Sequence, residues 1–240
     1  MSEVAPEPIV LALDSAGWAC SALVAVGEVV LCAKRLATEQ GQAEALVPLI
    51  EAAMREAGLA ASELHIVGTT IGPGSFTGIR AGLAASRGIA LATSAQLIGV
   101  TGFEAVAAGL APSVYDRRPH FLLVALESRR EDLYVQLFDP RRNPLGTPVA
   151  TMPGMLDETL NSVIGTAPLV VAGDAAPRVA RVLSRRPGTT VAEESASSAT
   201  GVLRAVLHRW RLGLPASSPL PLYLRPPDVT IPTGRGKGNH

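Results

Sequence analysis

Two short segments set the strongest limit on how this chain can fold: Leu11-Ala12-Leu13-Asp14-Ser15 and Val124-Ala125-Leu126-Glu127-Ser128. Each ends an apolar strand-like run in a carboxylate and a serine, and each precedes a second strand. The order around them also repeats. In the first half, IVLALD (9–14) leads into a hairpin of SALVAVG (21–27) and VVLCAKR (29–35) around Gly27-Glu28. A helix follows, with Leu46, Leu49, Ile50, Ala53, Met54 and Ala57 at helical spacing and Gly58 as its stop. Then come a strand (65–71), the loop GPGSFTG, a helix over IRAGLAASRGIALAT, the strand QLIGV, and a helix opened by a Thr101/Glu104 capping box.

The second half reads the same way: strands at 120–126, 132–139 and about 146–151, a short helix in MPGMLDETL, and a strand at 168–173. A helix at 175–186, a strand in TTVA and a last helix follow, the last with Val202, Leu203, Val206, Leu207 and Trp210 on one stripe. Both halves are strand-strand-strand-helix-strand-helix-strand-helix, and an internal duplication is the economical explanation. The expected class is α/β, a two-lobed, duplicated ribonuclease H-like arrangement as in the actin-like ATPase and sugar-kinase architecture. Lobes are expected at 1–111 and 112–214, with a Pro- and Gly-rich segment at 215–240. In that segment Tyr223 and Leu224 are expected to pin the chain back, while Arg235, Lys237 and His240 make a small basic end.

Composition removes several function classes. Of 240 residues, 48% are hydrophobic, which suits a folded body; 21 basic residues balance 21 acidic ones, so no overall positive field holds nucleic acid. The opening MSEVAPEPIV lacks a basic signal region, and no apolar run is long enough for a membrane span, so a soluble cytoplasmic protein is expected. Cys20 and Cys32 lie in apolar runs and are expected to be buried thiols.

The strongest local motif is GPGSFTGIR, Gly72 to Arg80, between a strand and a helix. Its glycines permit close backbone approach, Ser75 and Thr77 can cap the helix, and free N–H groups at a helix start can hold an anion. A tight packing turn explains it equally well, and it has neither a P-loop ending nor a dinucleotide spacing. Asp14 can hold a metal-bound water or nucleotide, or start its own turn. Arg80 can meet a partner carboxylate or cap a neighbouring strand. His65, His120, His208 and His240 are too far apart in sequence for a metallopeptidase pair, and no nucleophile elbow supports a triad from Ser15 or Ser75.

Taken together, IVLALDS, GPGSFTGIR with GLAASRGIAL, LIGVTGFEAVA and the terminal PLYLRP resemble the bacterial TsaB (YeaZ) family along nearly the whole chain. The resemblance implies a non-catalytic paralogue of TsaD, in the machinery that forms N6-threonylcarbamoyladenosine at position 37 of tRNAs reading ANN codons. In it, TsaC-type enzymes make threonylcarbamoyl-adenylate, TsaD transfers the threonylcarbamoyl group, and TsaB with the ATPase TsaE supports TsaD. No catalytic residue, metal or cofactor is then expected on this chain, although the complex uses ATP and threonylcarbamoyl-adenylate. The second turn agrees with a non-catalytic role: in ESRREDL, Glu127, Glu131 and Asp132 would repel a triphosphate, whereas phosphate-binding turns are rich in Gly, Ser and Thr. Glu127-Ser128-Arg129 departs from the family's Asp-Ala-Arg, and Gln42 stands where relatives often carry histidine.

The resemblance also implies a seam with TsaD, or with a second copy when TsaD is absent, on the first two helices. The region carrying it is expected to include Leu46, Leu49, Ile50, Ala53 and Met54 with Gly82, Ala85, Ser86 and Ile89. Periodicity alone explains the same residues as core. An actin-like kinase or ATPase is the enzyme alternative, and a metallopeptidase a weaker one.

Overall fold

The computed structural model describes residues 6–37, 41–111, 120–193, 196–213 and 219–225. Two five-stranded mixed sheets carry the fold. The first has the order β3 (Val29–Ala37), β2 (Ala19–Val26), β1 (Ile9–Asp14), β4 (Ile66–Thr70), β5 (Gln96–Val100). The second, read from the equivalent edge, is β8 (Pro144–Thr151), β7 (Leu133–Phe138), β6 (Phe121–Glu127), β9 (Leu169–Ala172), β10 (Thr189–Val191). In each, the first three strands form an antiparallel meander and the last two run parallel to the first. The duplication expected from LALDS and VALES is therefore present strand for strand, and the α/β two-lobed class holds.

Local sequence accounts for most boundaries. Helix α1 (Gln42–Ala57) ends where Gly58 takes φ +69° and its N–H reaches the Arg55 carbonyl, with Leu59 N–H on Met54. Helix α2 (Phe76–Thr93) starts three residues before Ile79 because Ser75 Oγ accepts the Gly78 N–H at 3.2 Å, which makes Ser75 the cap. Helix α3 (Gly102–Gly109) has the expected capping box, Thr101 N–H to Glu104 at 2.7 Å and Glu104 N–H to Thr101 at 3.1 Å. In the second half, a 3₁₀ turn (Pro153–Met155) precedes α4 (Leu156–Ile164), followed by α5 (Ala176–Val182) and α6 (Ala199–Arg211).

Strand alternation assigns each face a different partner. Leu11 and Leu13 point toward α1 and α2, whereas Val10 and Ala12 pack against α6. Leu123 and Ala125 pack toward α4 and α5, whereas Leu122, Val124 and Leu126 meet Phe103 and Val106 of α3. The last helix of each half thus covers the other half's sheet. The division at residue 112 follows element order but not packing, because α6 lies on the first sheet and α3 on the second. Two glycines permit this crossing: a Cβ on Gly201 would stand 2.1 Å from the Ala105 carbonyl oxygen, and one on Gly68 would stand 2.6 Å from Val206. No helix among the described residues is long and apolar enough to cross a membrane.

Candidate functional site

Where the two sheets' first turns face each other, a cleft of about 350 Å³ opens, lined among others by Trp18, Arg35, Phe76, Glu127, Arg129 and Asp174. Its first wall is the GPGSFTG loop seated on the turn after β1. The Gly72–Pro73 peptide is cis, and Gly74 has φ +154°. A Cβ on Gly74 would fall 2.1 Å from the Ala16 carbonyl oxygen, the same oxygen that accepts the Ser75 N–H at 2.8 Å. Behind them, Ser15 Oγ donates to the Gly78 carbonyl at 2.8 Å, and Gly82 lies so near that a Cβ would come within 2.5 Å of Ser15 Oγ. The loop's glycines are therefore used for packing, and its Ser75 N–H and Gly78 N–H are satisfied within the chain. Asp14 acts as a turn residue: buried, it accepts from Ala16 N–H at 3.1 Å and Thr70 Oγ1 at 2.8 Å.

The second wall is the turn after β6. Glu127 N–H donates to Asp174 Oδ1 at 3.0 Å, and the Glu127 carboxylate pairs with Arg178 at 3.0 Å. Burial raises the Asp174 carboxyl above its ordinary pKa, and the neighbouring Glu127 charge adds to this against the backbone hydrogen bonds that lower it. Ser128 Oγ donates to both the carbonyl and Oδ1 of Asp132 at 2.8 Å. Arg129 takes φ +64°, and its guanidinium lies 4.6 Å from the Trp18 ring centroid, joining the two walls by a cation–π contact. Sequence reasoning had no signal for Trp18 or Asp174, since their roles depend on how the turns face each other.

Arg80 turns toward neither a strand nor an open carboxylate. Its Nε donates to Tyr223 Oη at 3.2 Å and its guanidinium stacks 3.7 Å over the Phe76 ring, itself 5.4 Å from Tyr223. The segment 219–225 is held along its length: Arg87 donates to the Pro219 carbonyl at 2.6 Å, and Leu222 N–H donates to Ile71 at 2.7 Å. Of the family-motif residues, Pro73, Gly74, Ser75, Phe76 and Thr77 line the cleft, whereas Gly72, Gly78 and Arg80 do not. Phe76 and Thr77 are exposed, whereas Gly72, Pro73 and Gly78 are buried.

The helix residues divide by burial. Leu46, Ile50, Ala53 and Met54 are buried under the first sheet, and Gly82 and Ser86 are buried on α2. Leu49, Ala85 and Ile89 are half-buried against the same core. The outward side of the α1–α2 pair carries other residues: Val47 is 51% exposed and Leu91 87%, with Ala84, Gly88 and Ala92 exposed beside Leu91 at helical spacing. Val47 stands seven residues before the buried Met54, on nearly the same side of the helix, so periodicity alone does not place it outside. Cys20 and Cys32 are buried free thiols. His65 Nδ1 accepts the Ile9 N–H at 3.1 Å, and among the described residues no three His, Cys, Asp or Glu side chains group closely enough for a metal ion.

Comparison with known proteins adds the family context. Residues 36–146 match the family model for TsaD, tRNA N6-adenosine threonylcarbamoyltransferase. A tRNA N6-adenosine threonylcarbamoyltransferase of Erythrobacter litoralis is 36% identical over 88 residues, 36% of this chain and only 26% of that enzyme. An uncharacterized protein of Mycobacterium tuberculosis is 29% identical over 225 residues, 92% of this chain and 93% of that one. The solved structure of YeaZ from Pseudomonas aeruginosa superposes with a TM-score of 0.75 at 21% identity, covering 90% of this chain and all of that one. A ROK hexokinase from Thermus thermophilus shares the two-lobed fold more distantly, with a TM-score of 0.50 at 16% identity over 85% of this chain and 99% of that one. The sequence motifs, the TsaD-family match across the middle of the chain and the YeaZ-like fold agree with one another and are consistent with the TsaB (YeaZ) family.

Proposed function

We propose that this chain is a non-catalytic subunit that binds and supports TsaD in the complex forming N6-threonylcarbamoyladenosine at position 37 of tRNA. TsaE and the tRNA are met through that complex in the cytoplasm, and a second copy of the chain occupies the same surface when TsaD is absent. ATP and threonylcarbamoyl-adenylate are consumed by the complex and not held by this chain. The observation that carries the reading is the outer side of α2, where exposed Leu91 shares a face with the small residues Ala84 and Gly88, together with Val47 exposed on α1. Small residues let another helix approach closely, and exposed apolar ones gain from being covered. The cleft supports the non-catalytic part: the loop's Ser75 and Gly78 N–H groups are already satisfied, and Glu127 and Asp174 place carboxylate where a triphosphate would need donors.

The test is light scattering after gel filtration of the chain mixed with TsaD of its own organism, beside a Val47→Glu/Leu91→Glu variant. A stable heterodimer that the variant loses, with its circular dichroism unchanged, supports the reading. Separate elution of the wild-type proteins overturns it. Ile50→Glu is unsuitable as a probe, because Ile50 lies in the core and its loss of binding would report unfolding. The kinase or ATPase reading has the cleft in its favour, and calorimetry with magnesium ATP on the isolated chain decides it: heat of binding supports that reading, and none sinks it.

A further inference from the structure

A second concavity, about 590 Å³, shares no lining residue with the cleft. It lies between the end of α3, the β7–β8 turn and the last turns of α6. Four guanidiniums border it, those of Arg141, Arg142, Arg204 and Arg209, against the two carboxylates of Glu28 and Glu104. Both carboxylates are already taken: Glu104 pairs with Arg209, and Glu28 with Arg211 at 2.7 Å. Asp139, nearby in the turn, is occupied by the N–H groups of Arg141 and Asn143, each at 2.8 Å, and by Asn143 Nδ2 at 3.0 Å.

Arg204 differs from these pairs in its partners. Its Nη1 donates to the Gly109 and Ala108 carbonyls at 3.0 and 3.5 Å, and Arg142 Nη1 reaches the Ala107 carbonyl at 3.5 Å. At Arg204 these carbonyl oxygens, the negative end of α3, hold the guanidinium without supplying a formal counter-charge. A chain with equal numbers of acidic and basic residues thus concentrates positive charge at one groove. The groove's lining also includes apolar Ala107, Ala108, Pro144 and Leu212. Arginine forks match the paired oxygens of a phosphodiester, and apolar lining suits the sugar and base faces between them.

We infer that this groove binds the phosphodiester backbone of RNA, and the choice of tRNA as that RNA rests on the function proposed above. The test uses the full chain alone and a fluorescently labelled tRNA transcript, followed by anisotropy over a salt series. Variants are Arg141→Glu/Arg204→Glu in the groove and Arg181→Glu/Arg185→Glu, exposed on and just after α5, as a control of equal charge. The groove variant is expected to lose at least about tenfold in affinity at low salt and to lower the salt slope by about two, one for each phosphate contact removed. The control is expected to lose under about threefold. No binding by the wild-type chain at low salt, or equal losses in both variants, overturns the inference. So does competition by polyglutamate as effective as by unlabelled tRNA, which would assign the groove to an acidic protein segment. Heterodimer formation with TsaD is read separately, so groove-dependent RNA binding without a heterodimer would reject the proposed function and leave this inference standing, and the converse result would do the reverse.

Discussion

Arg225 Nη2 stands 2.7 Å from Asp132 Oδ2, an ion pair whose alignment is not that of a hydrogen bond, at a carboxylate only 2% exposed. The residues just before Arg225 are anchored on the first sheet and its helix α2, and Asp132 belongs to the turn before β7. The contact therefore latches one lobe to the other.

Removing the arginine leaves a buried carboxylate without its counter-charge, which costs more than the pair contributes. Because Arg225 itself is partly exposed, we expect Arg225→Ala to destabilise by about 1–3 kcal/mol. Urea unfolding measures this. A loss below a few tenths of a kcal/mol would mean that solvent already compensates Asp132.

Gly74 tests the packing account of the GPGSFTG loop. Any side chain there meets the Ala16 carbonyl and an unfavourable φ, so Gly74→Ala is expected to cost on the order of 3 kcal/mol or more. Gly17 borders the same cleft, but a Cβ there meets nothing within 4 Å, so Gly17→Ala is expected to stay within about 0.5 kcal/mol. Similar losses in the two variants would remove the argument that close approach selects Gly74.

Asp174 gives a pH-dependent expectation. Its folded pKa is raised by burial, so its contribution to stability is complete only below the ordinary carboxyl value of 3.8 and is lost as pH rises through the folded pKa, above which ionisation costs stability. Asparagine keeps an acceptor for the Glu127 N–H without the charge. Asp174→Asn should therefore match or exceed the wild type in stability at pH 7, with its advantage shrinking as pH falls. Denaturant midpoints at several pH values check this, and a large loss at pH 7 would show that the charge itself is needed.

Cys20 titrates in the opposite range. Burial, with a smaller contribution from the charge of Asp14, pushes its thiol up to about 11. The neutral thiol's contribution is complete below the unfolded value near pH 9 and is lost as pH rises through the folded one. The native protein should react slowly with a thiol reagent at pH 8 and rapidly in denaturant. Wild-type stability should also fall more steeply between pH 9 and 11 than that of Cys20→Ala. A fast native reaction assigned to Cys20 by peptide mapping would contradict its burial.

Features set by neighbours in sequence were legible in advance. The meander, the Gly58 stop, the Thr101/Glu104 box and the duplicated order depend on alternation, turn residues and hydrogen bonds spanning a few positions, and all are present in the fold. The apolar stripe of α6 was equally visible as a stripe, yet its destination was not: a stripe states that a helix is covered, not by which sheet. Only the crossing of α3 and α6, made possible by Gly201 and Gly68, decided that α6 covers the first sheet. The same limit applied to the proposed partner surface, where periodicity marked Leu46, Ile50 and Met54 but could not say whether the first sheet or another chain buried them. Trp18 with Arg129, Arg80 with Tyr223 and Arg225 with Asp132 join residues about 90 to 140 positions apart, with no local pattern linking them. Short-range physics along the chain sets the elements and their repetition. The tertiary structure decided which faces, loops and charges meet, because those contacts exist only after the two lobes have docked.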